Sequence, residues 1–201
     1  MAKLENKDLY FIHIPKNAGT AFIHTYCQNN QVGHYPVSVF PPEIQNKSVA
    51  IIRNPYDRLV SVYEYNRMRK NYWHSFDETT KWGPPPLYDF CTTHTFDEFV
   101  QEISKLFPIL HTLPDWGNHS IPQYQWLINK EGKIVVPYIL YYENLQEEIK
   151  TKLGIYKRME QINSSPRKDL REYYQNKETQ DIVHKLYGKD FELFGYSKEL
   201  F

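Results

Sequence analysis

Three apolar, β-rich runs, at residues 9–14, 48–52 and 134–142, each lead directly into a helix-start signal. A strand that feeds a helix, repeated along one chain, constrains the fold to an α/β architecture. Successive strands of this kind lie parallel, and the helices cover the sheet. After the first run, Asn17-Ala18-Gly19-Thr20 opens a helical stretch expected to reach about residue 29. After the second, Asn54 can cap, Pro55 suits the first helical position and Asp57 falls at the third, which predicts a helix to about residue 70. After the third, Asn144 and Glu147 repeat the cap pattern, and Leu145, Ile149 and Leu153 form an apolar stripe at helical spacing.

The segments between these units are read from the same signals. Residues 71–94 contain Gly83-Pro84-Pro85-Pro86 and several aromatic side chains, a composition expected to remain irregular and, at that length, to be functional or mobile. Thr95-Phe96-Asp97-Glu98 reads as a capping box opening a helix to about residue 107. A second irregular stretch is expected over 108–120, then a short helix around 123–128, a turn at 130–133, and mostly helix from 168. There is no internal repeat and no linker composition, so residues 1–201 read as a single domain, long enough to bury a real core.

Composition removes several functional classes. Lys and Arg total 24, as do Asp and Glu, so no global basic field recruits nucleic acid or anionic membrane. Mean hydropathy is −0.66, and no run approaches the roughly 18 apolar residues of a membrane span. No apolar leader opens the chain, so a soluble, cytoplasmic protein is expected. Cys27 and Cys91 have neither metal-ligand spacing nor a nucleophile signature, and are expected to be unpaired structural thiols. With 17 Tyr and 11 Phe, some aromatic rings are expected to line a groove rather than a core.

The junction after the first strand carries chemistry. Pro15-Lys16-Asn17-Ala18-Gly19-Thr20 places a lysine, a glycine and a hydroxyl where a helix begins. Unpaired N–H groups and partial positive charge at such a start favour a phosphate or sulfate. A Walker loop needs its lysine immediately after the second glycine; here Lys16 precedes Gly19, which disfavours an ATPase or ordinary kinase. The second junction, Arg53-Asn54-Pro55-Tyr56-Asp57-Arg58-Leu59-Val60-Ser61, places Arg53 at a strand end, where open α/β sheets collect ligands. Ser61 follows about 9 Å along the helix axis, so Arg53 and Ser61 could grip one phosphate together. Alternatively, Arg53 forms a surface ion pair with Asp57.

Taken together, Pro15-Lys16-x-Ala18-Gly19-Thr20 followed by Arg53-x7-Ser61 resembles the sulfotransferase family, and within it the carbohydrate branch of heparan sulfate 2-O and chondroitin or dermatan enzymes. Tyr142-Glu143-Asn144-Leu145 is similar to a strand-ending element of that family, and Tyr187-x2-Asp190-Phe191-x2-Phe194-Gly195-Tyr196 to its C-terminal signature. The resemblance implies a P-loop-like three-layer sandwich, with a central parallel sheet of about four or five strands between helices. It implies 3′-phosphoadenosine 5′-phosphosulfate as donor and adenosine 3′,5′-bisphosphate as product, with no metal. Lys16 would stabilise the leaving phosphate. Asn17, Ala18, Gly19 and Thr20 would hold the 5′-phosphate, and Arg53 and Ser61 the 3′-phosphate. In the loop Asn163-Ser164-Ser165-Pro166-Arg167, Arg167 or Ser165 would close on that 3′-phosphate.

The reaction needs a base for an acceptor hydroxyl, and histidine or a carboxylate suits that task. His13, His24, His74, His94, His111, His119 and His184 are candidates, with His34 and Glu143 behind them. His119 is similar to the His of a His-x2-Pro-Gln patch in carbohydrate sulfotransferases, and is the expected base. A carbohydrate hydroxyl is the expected acceptor, with the aromatic loop 72–90 a stacking surface for it. Arg67, Arg69, Lys70 and Lys81 form the nearest approach to a basic cluster. The rival readings are a small-molecule kinase and a non-catalytic nucleotide-binding protein of the same fold.

Overall fold

The computed structural model describes residues 2–28, 33–71, 73–77, 79–80, 82–113, 115–162 and 165–200. Asn29, the expected end of the first helix, and Tyr72, Lys81, Asn163 and Ser164 lie outside these. In chain order the strands are β1 (Ala2–Lys3), β2 (Tyr10–Ile12), β3 (Ser48–Ile52) and β4 (Tyr138–Tyr141). The helices are α1 (Gly19–Tyr26), α2 (Pro42–Gln45), α3 (Pro55–Arg67), α4 (Tyr88–Thr93), α5 (Phe96–Leu106), α6 (Asp115–Asn118), α7 (Leu145–Leu153), α8 (Leu170–Tyr173) and α9 (Lys177–Phe194). They fall into two compact units, Met1–Asn54 with Pro122–Ile162, and Pro55–Ile121 with Asn163–Phe201.

The first unit is α/β, with a mostly parallel four-stranded sheet in the order β1-β2-β3-β4. β2, β3 and β4 run parallel, in registers such as Phe11↔Val49 and Ile51↔Leu140. Only the short edge strand β1 is antiparallel. Every residue of β3 is buried, the signature of a central parallel strand covered on both faces. Phe11, Val49, Ile51 and Leu140 pack with Phe22 and Ile23 of α1 and with Leu145, Ile149 and Leu153 of α7. The α7 stripe therefore does what its spacing predicts. Its expected cap does not form: Asn144 makes no side-chain cap bond, and Glu147 and Glu148 supply negative charge to the first turn instead. Gly154, at φ 63, ends α7 in the left-handed region.

The third apolar run yields a shorter strand than expected. Ile134 bridges Ile128, and the Val135 N–H donates to Leu127 O at 3.0 Å. Asn129 Oδ1 accepts the N–H groups of Glu131 and Lys133 and so builds the predicted turn. Pro137 then separates this pairing from β4, because it has no N–H to give a ladder.

The second unit is helical, with one core of aromatic and aliphatic residues from α3, α5, α8 and α9 and the residues around them. α3 begins at Pro55, as its signal predicts. At α5 the capping box is complete: Thr95 Oγ1 accepts the Glu98 N–H, and Glu98 Oε2 accepts the Thr95 N–H at 2.7 Å. Helix α4 was not expected. The three prolines forbid helix only up to Pro86, and α4 starts two residues later with Cys91 in the core. Residues 107–112 form a 3₁₀ turn, and α6 follows at 115–118, in a stretch expected to be irregular.

Much of the tyrosine content goes into this core rather than a groove. Tyr56, Tyr63, Tyr174 and Tyr187 are buried. Their hydroxyls remain partnered: Tyr63 donates to His94 O, Tyr174 to Tyr56 O and Tyr187 to Ser120 O, which removes most of the cost of burying a phenol. Burial pushes the hydroxyls of Tyr56 and Tyr173 up to about 12, and that of Tyr174 well above its ordinary value. Each acid is thus weaker folded than unfolded. The stability it lends is complete below its unfolded value of 10.0 and is lost as pH rises through the folded value. Cys27 and Cys91, both free and buried, are likewise pushed up to about 12 by burial. Urea midpoints should therefore stay level to about pH 8, begin to fall near the thiols' ordinary value of 9.0, and fall steeply above pH 10. Tyrosinate absorbance should rise together with unfolding; full ionisation before unfolding would contradict this packing.

Candidate functional site

The loop between β2 and α1 carries two left-handed residues that are not glycine, Lys16 at φ 68 and Ala18 at φ 60. Such residues cost on the order of 1 kcal/mol or more each and persist where the surroundings hold them. Alternation of this kind turns successive N–H groups inward as a concave anion seat. Helix α1 starts at once behind it, with no side-chain cap and no acidic residue in its first turn. Its leading N–H groups therefore face the same seat. Lys16 and Thr20, in this loop and at the start of α1, are half-buried.

Two residues of the loop, both expected to hold the 5′-phosphate, also have packing roles. A Cβ at Gly19 would lie 2.0 Å from His13 Cδ2. The missing side chain makes room for the His13 ring. The Asn17 side chain is buried and tied down. Its Nδ2 donates to Ile51 O and to Gln123 Oε1, each at 2.7 Å.

Arg53, the first residue beyond β3, is brought to this loop. It is 4 % exposed, so it is a buried residue rather than a surface one. Its Nη1 donates to Lys16 O at 3.1 Å, and its guanidinium carbon lies 4.1 Å from the centre of the Tyr142 ring. Glu143, a minor base candidate, accepts the Asn54 N–H at 2.6 Å. The first unit thus gathers Lys16, Asn17, Ala18, Gly19, Thr20 and Arg53. It also holds His34, whose Nδ1 is 3.0 Å from His13 O and whose ring centre is 4.2 Å from that of His13.

Ser61, Arg167 and His119 belong to the second unit. Ser61 is buried in α3, one turn after Asp57. Arg167 Nη1 donates to Asp57 Oδ1 at 2.5 Å, so Arg167 stands against the face of α3 that carries Ser61. The carbonyl of His119 accepts from Arg58 Nη2 at 3.0 Å, and that of Ile121 from Arg58 Nη1 at 2.9 Å. With the Tyr187 hydroxyl on Ser120 O, three consecutive carbonyls are clamped. Arg58, Tyr142 and Gln123 were assigned no role from sequence. The signal at Arg58 was its place beside Arg53 in one motif, and that at Gln123 its place as the Gln of the His-x2-Pro-Gln patch that begins at His119. Phe76 and Trp82 of the aromatic loop are exposed at 44 % and 50 %.

Among the described residues, no group of three or more His, Cys, Asp or Glu is placed to hold a metal ion. No described helix is long and apolar enough to cross a membrane. The searches of curated proteins and of solved structures give no match. A family model described as the sulfotransferase family matches residues 4–197, almost the whole chain. By that match, the chain belongs to the sulfotransferase family.

Proposed function

We propose that the chain moves a sulfuryl group from 3′-phosphoadenosine 5′-phosphosulfate to a hydroxyl of a carbohydrate acceptor, with residues 1–201 acting as one functional domain. The observation that carries this reading is the pairing of the strained loop at Lys16–Ala18 with the buried guanidinium of Arg53, bonded to Lys16 O. A seat for one phosphate and a second cationic grip beside it suit a nucleotide phosphorylated at both 5′ and 3′ positions. In this scheme the acceptor oxygen attacks sulfur and the bond from sulfur to the 5′-phosphate oxygen breaks in line. The hydroxyl proton passes to a base, and adenosine 3′,5′-bisphosphate leaves. Lys16 steadies the charge that grows on the leaving oxygen, and the loop N–H groups hold the 5′-phosphate. Arg53 takes the 3′-phosphate, and Ser61 and Arg167 keep the role that the resemblance gives them. As in phosphoryl transfer, positioning and preorganised charge do most of the work. The two buried free thiols suit a reducing compartment, the cytoplasm.

His119 is the base of this reading. A second assignment, His34, is favoured by one observation: it shares a unit with the donor loop and its ring contacts, at a tilt, that of His13, which packs against Gly19. The test is transfer of labelled sulfate to a panel of oligosaccharides in the presence of EDTA. One adenosine 3′,5′-bisphosphate should form per sulfate moved. His119→Ala should cut transfer by about 10²- to 10⁴-fold and leave nucleotide binding intact. A wild-type rate in His119→Ala with loss in His34→Ala would move the role to His34.

A further inference from the structure

We infer that Gln123 is a positioning residue that sets the distance between the 5′-phosphate loop and the Arg53 guanidinium, and thereby the preference for a doubly phosphorylated nucleotide; this rests on the donor reading above. Gln123 has 0 % exposure, and its amide is bonded on both sides. Oε1 accepts from the Arg53 N–H at 2.9 Å and from Asn17 Nδ2 at 2.7 Å, while Nε2 donates to Arg53 O at 2.8 Å.

The ladder between β3 and β4 ends at Ile52↔Tyr141, one residue before Arg53. There the Gln123 amide meets both the N–H and the C=O of Arg53. Its third bond reaches Asn17, which lies between left-handed Lys16 and Ala18 and is itself anchored to Ile51 O. One amide, 70 residues from Arg53 and 106 from Asn17 along the chain, therefore ties the main chain of Arg53 to the side chain of Asn17. Buried amide networks of this kind rigidify what they join, because any shift leaves a polar group without a partner.

Rigid spacing matters most for a ligand that must satisfy both grips at once. A nucleotide with only a 5′-phosphate needs the loop alone. The test is calorimetry of adenosine 3′,5′-bisphosphate and of AMP on wild type, Gln123→Met and Gln123→Glu, each checked for folding by circular dichroism. Gln123→Met should cut the preference for the bisphosphate by at least about tenfold while AMP affinity changes by no more than about threefold. Gln123→Glu keeps both accepted bonds and loses the donor to Arg53 O, so it should retain part of the preference and serves if Gln123→Met does not fold. An unchanged preference, or equal weakening of both ligands, would overturn the inference. A wild-type protein with no preference at all would instead overturn the donor reading beneath it.

Discussion

Replacing Lys16 by alanine should lower turnover by about 10²- to 10³-fold while weakening donor affinity by no more than about tenfold. The reason is where charge develops. In the proposed scheme the phosphosulfate, before reaction, spreads its charge over many oxygens, and the loop N–H groups and the start of α1 would already meet the 5′-phosphate. As the bond to sulfur breaks, negative charge concentrates on the one oxygen that leaves. An ammonium on a flexible stem, carried by a half-buried residue of that loop, would be worth most at that moment. Steady-state kinetics and calorimetry on one preparation separate the two effects. A fall in affinity as large as the fall in turnover would make Lys16 a binding residue. Lys16→Arg should recover little, because the broad guanidinium cannot deliver a point charge to a single oxygen.

Replacing Arg53 by alanine should remove about 10²-fold of the preference for adenosine 3′,5′-bisphosphate over ADP, with ADP binding itself changed far less. Hydrogen bonds to a charged group are worth about 1.5–3 kcal/mol each, and Arg offers two in parallel. Burial at 4 % exposure keeps the guanidinium from trading these bonds for water. Stacking on Tyr142 and the bond to Lys16 O hold the fork in one orientation before ligand arrives. Arg53→Lys keeps the charge but loses the fork and the stack, so it should behave more like alanine than like wild type. Equal losses for both nucleotides would show that Arg53 supports the loop and does not read the 3′-phosphate.

The parts of this fold that were legible in the sequence are those written locally. β3 occupies the expected residues, α3 starts at its proline, and the Thr95 capping box and the Leu145, Ile149, Leu153 stripe form as read. Each depends on neighbours a few positions away. The candidate site is legible in the same measure: Lys16 and Arg53 announce themselves by sitting just past strand ends. What holds them does not. A partner shared by Asn17 and Arg53 is a glutamine at the start of a distant 3₁₀ turn, and nothing in the local sequence of Gln123 predicts that its amide meets the end of the sheet. The sequence also cannot show that the His13 ring lies against Gly19. The Asp57 carboxylate, offered to Arg53 by proximity along the chain, pairs with Arg167 from 110 residues away. Local signals decide elements; long-range packing decides which side of an element meets which partner.

Calorimetry of the intact wild-type chain with adenosine 3′,5′-bisphosphate, ADP and ATP, with and without Mg²⁺, tests the central claim most directly. The two-phosphate account predicts that the bisphosphate binds at least about tenfold more tightly than ADP or ATP, and that Mg²⁺ leaves this order unchanged. Equal affinity for all three nucleotides, or a preference for ATP that appears with Mg²⁺, would contradict it.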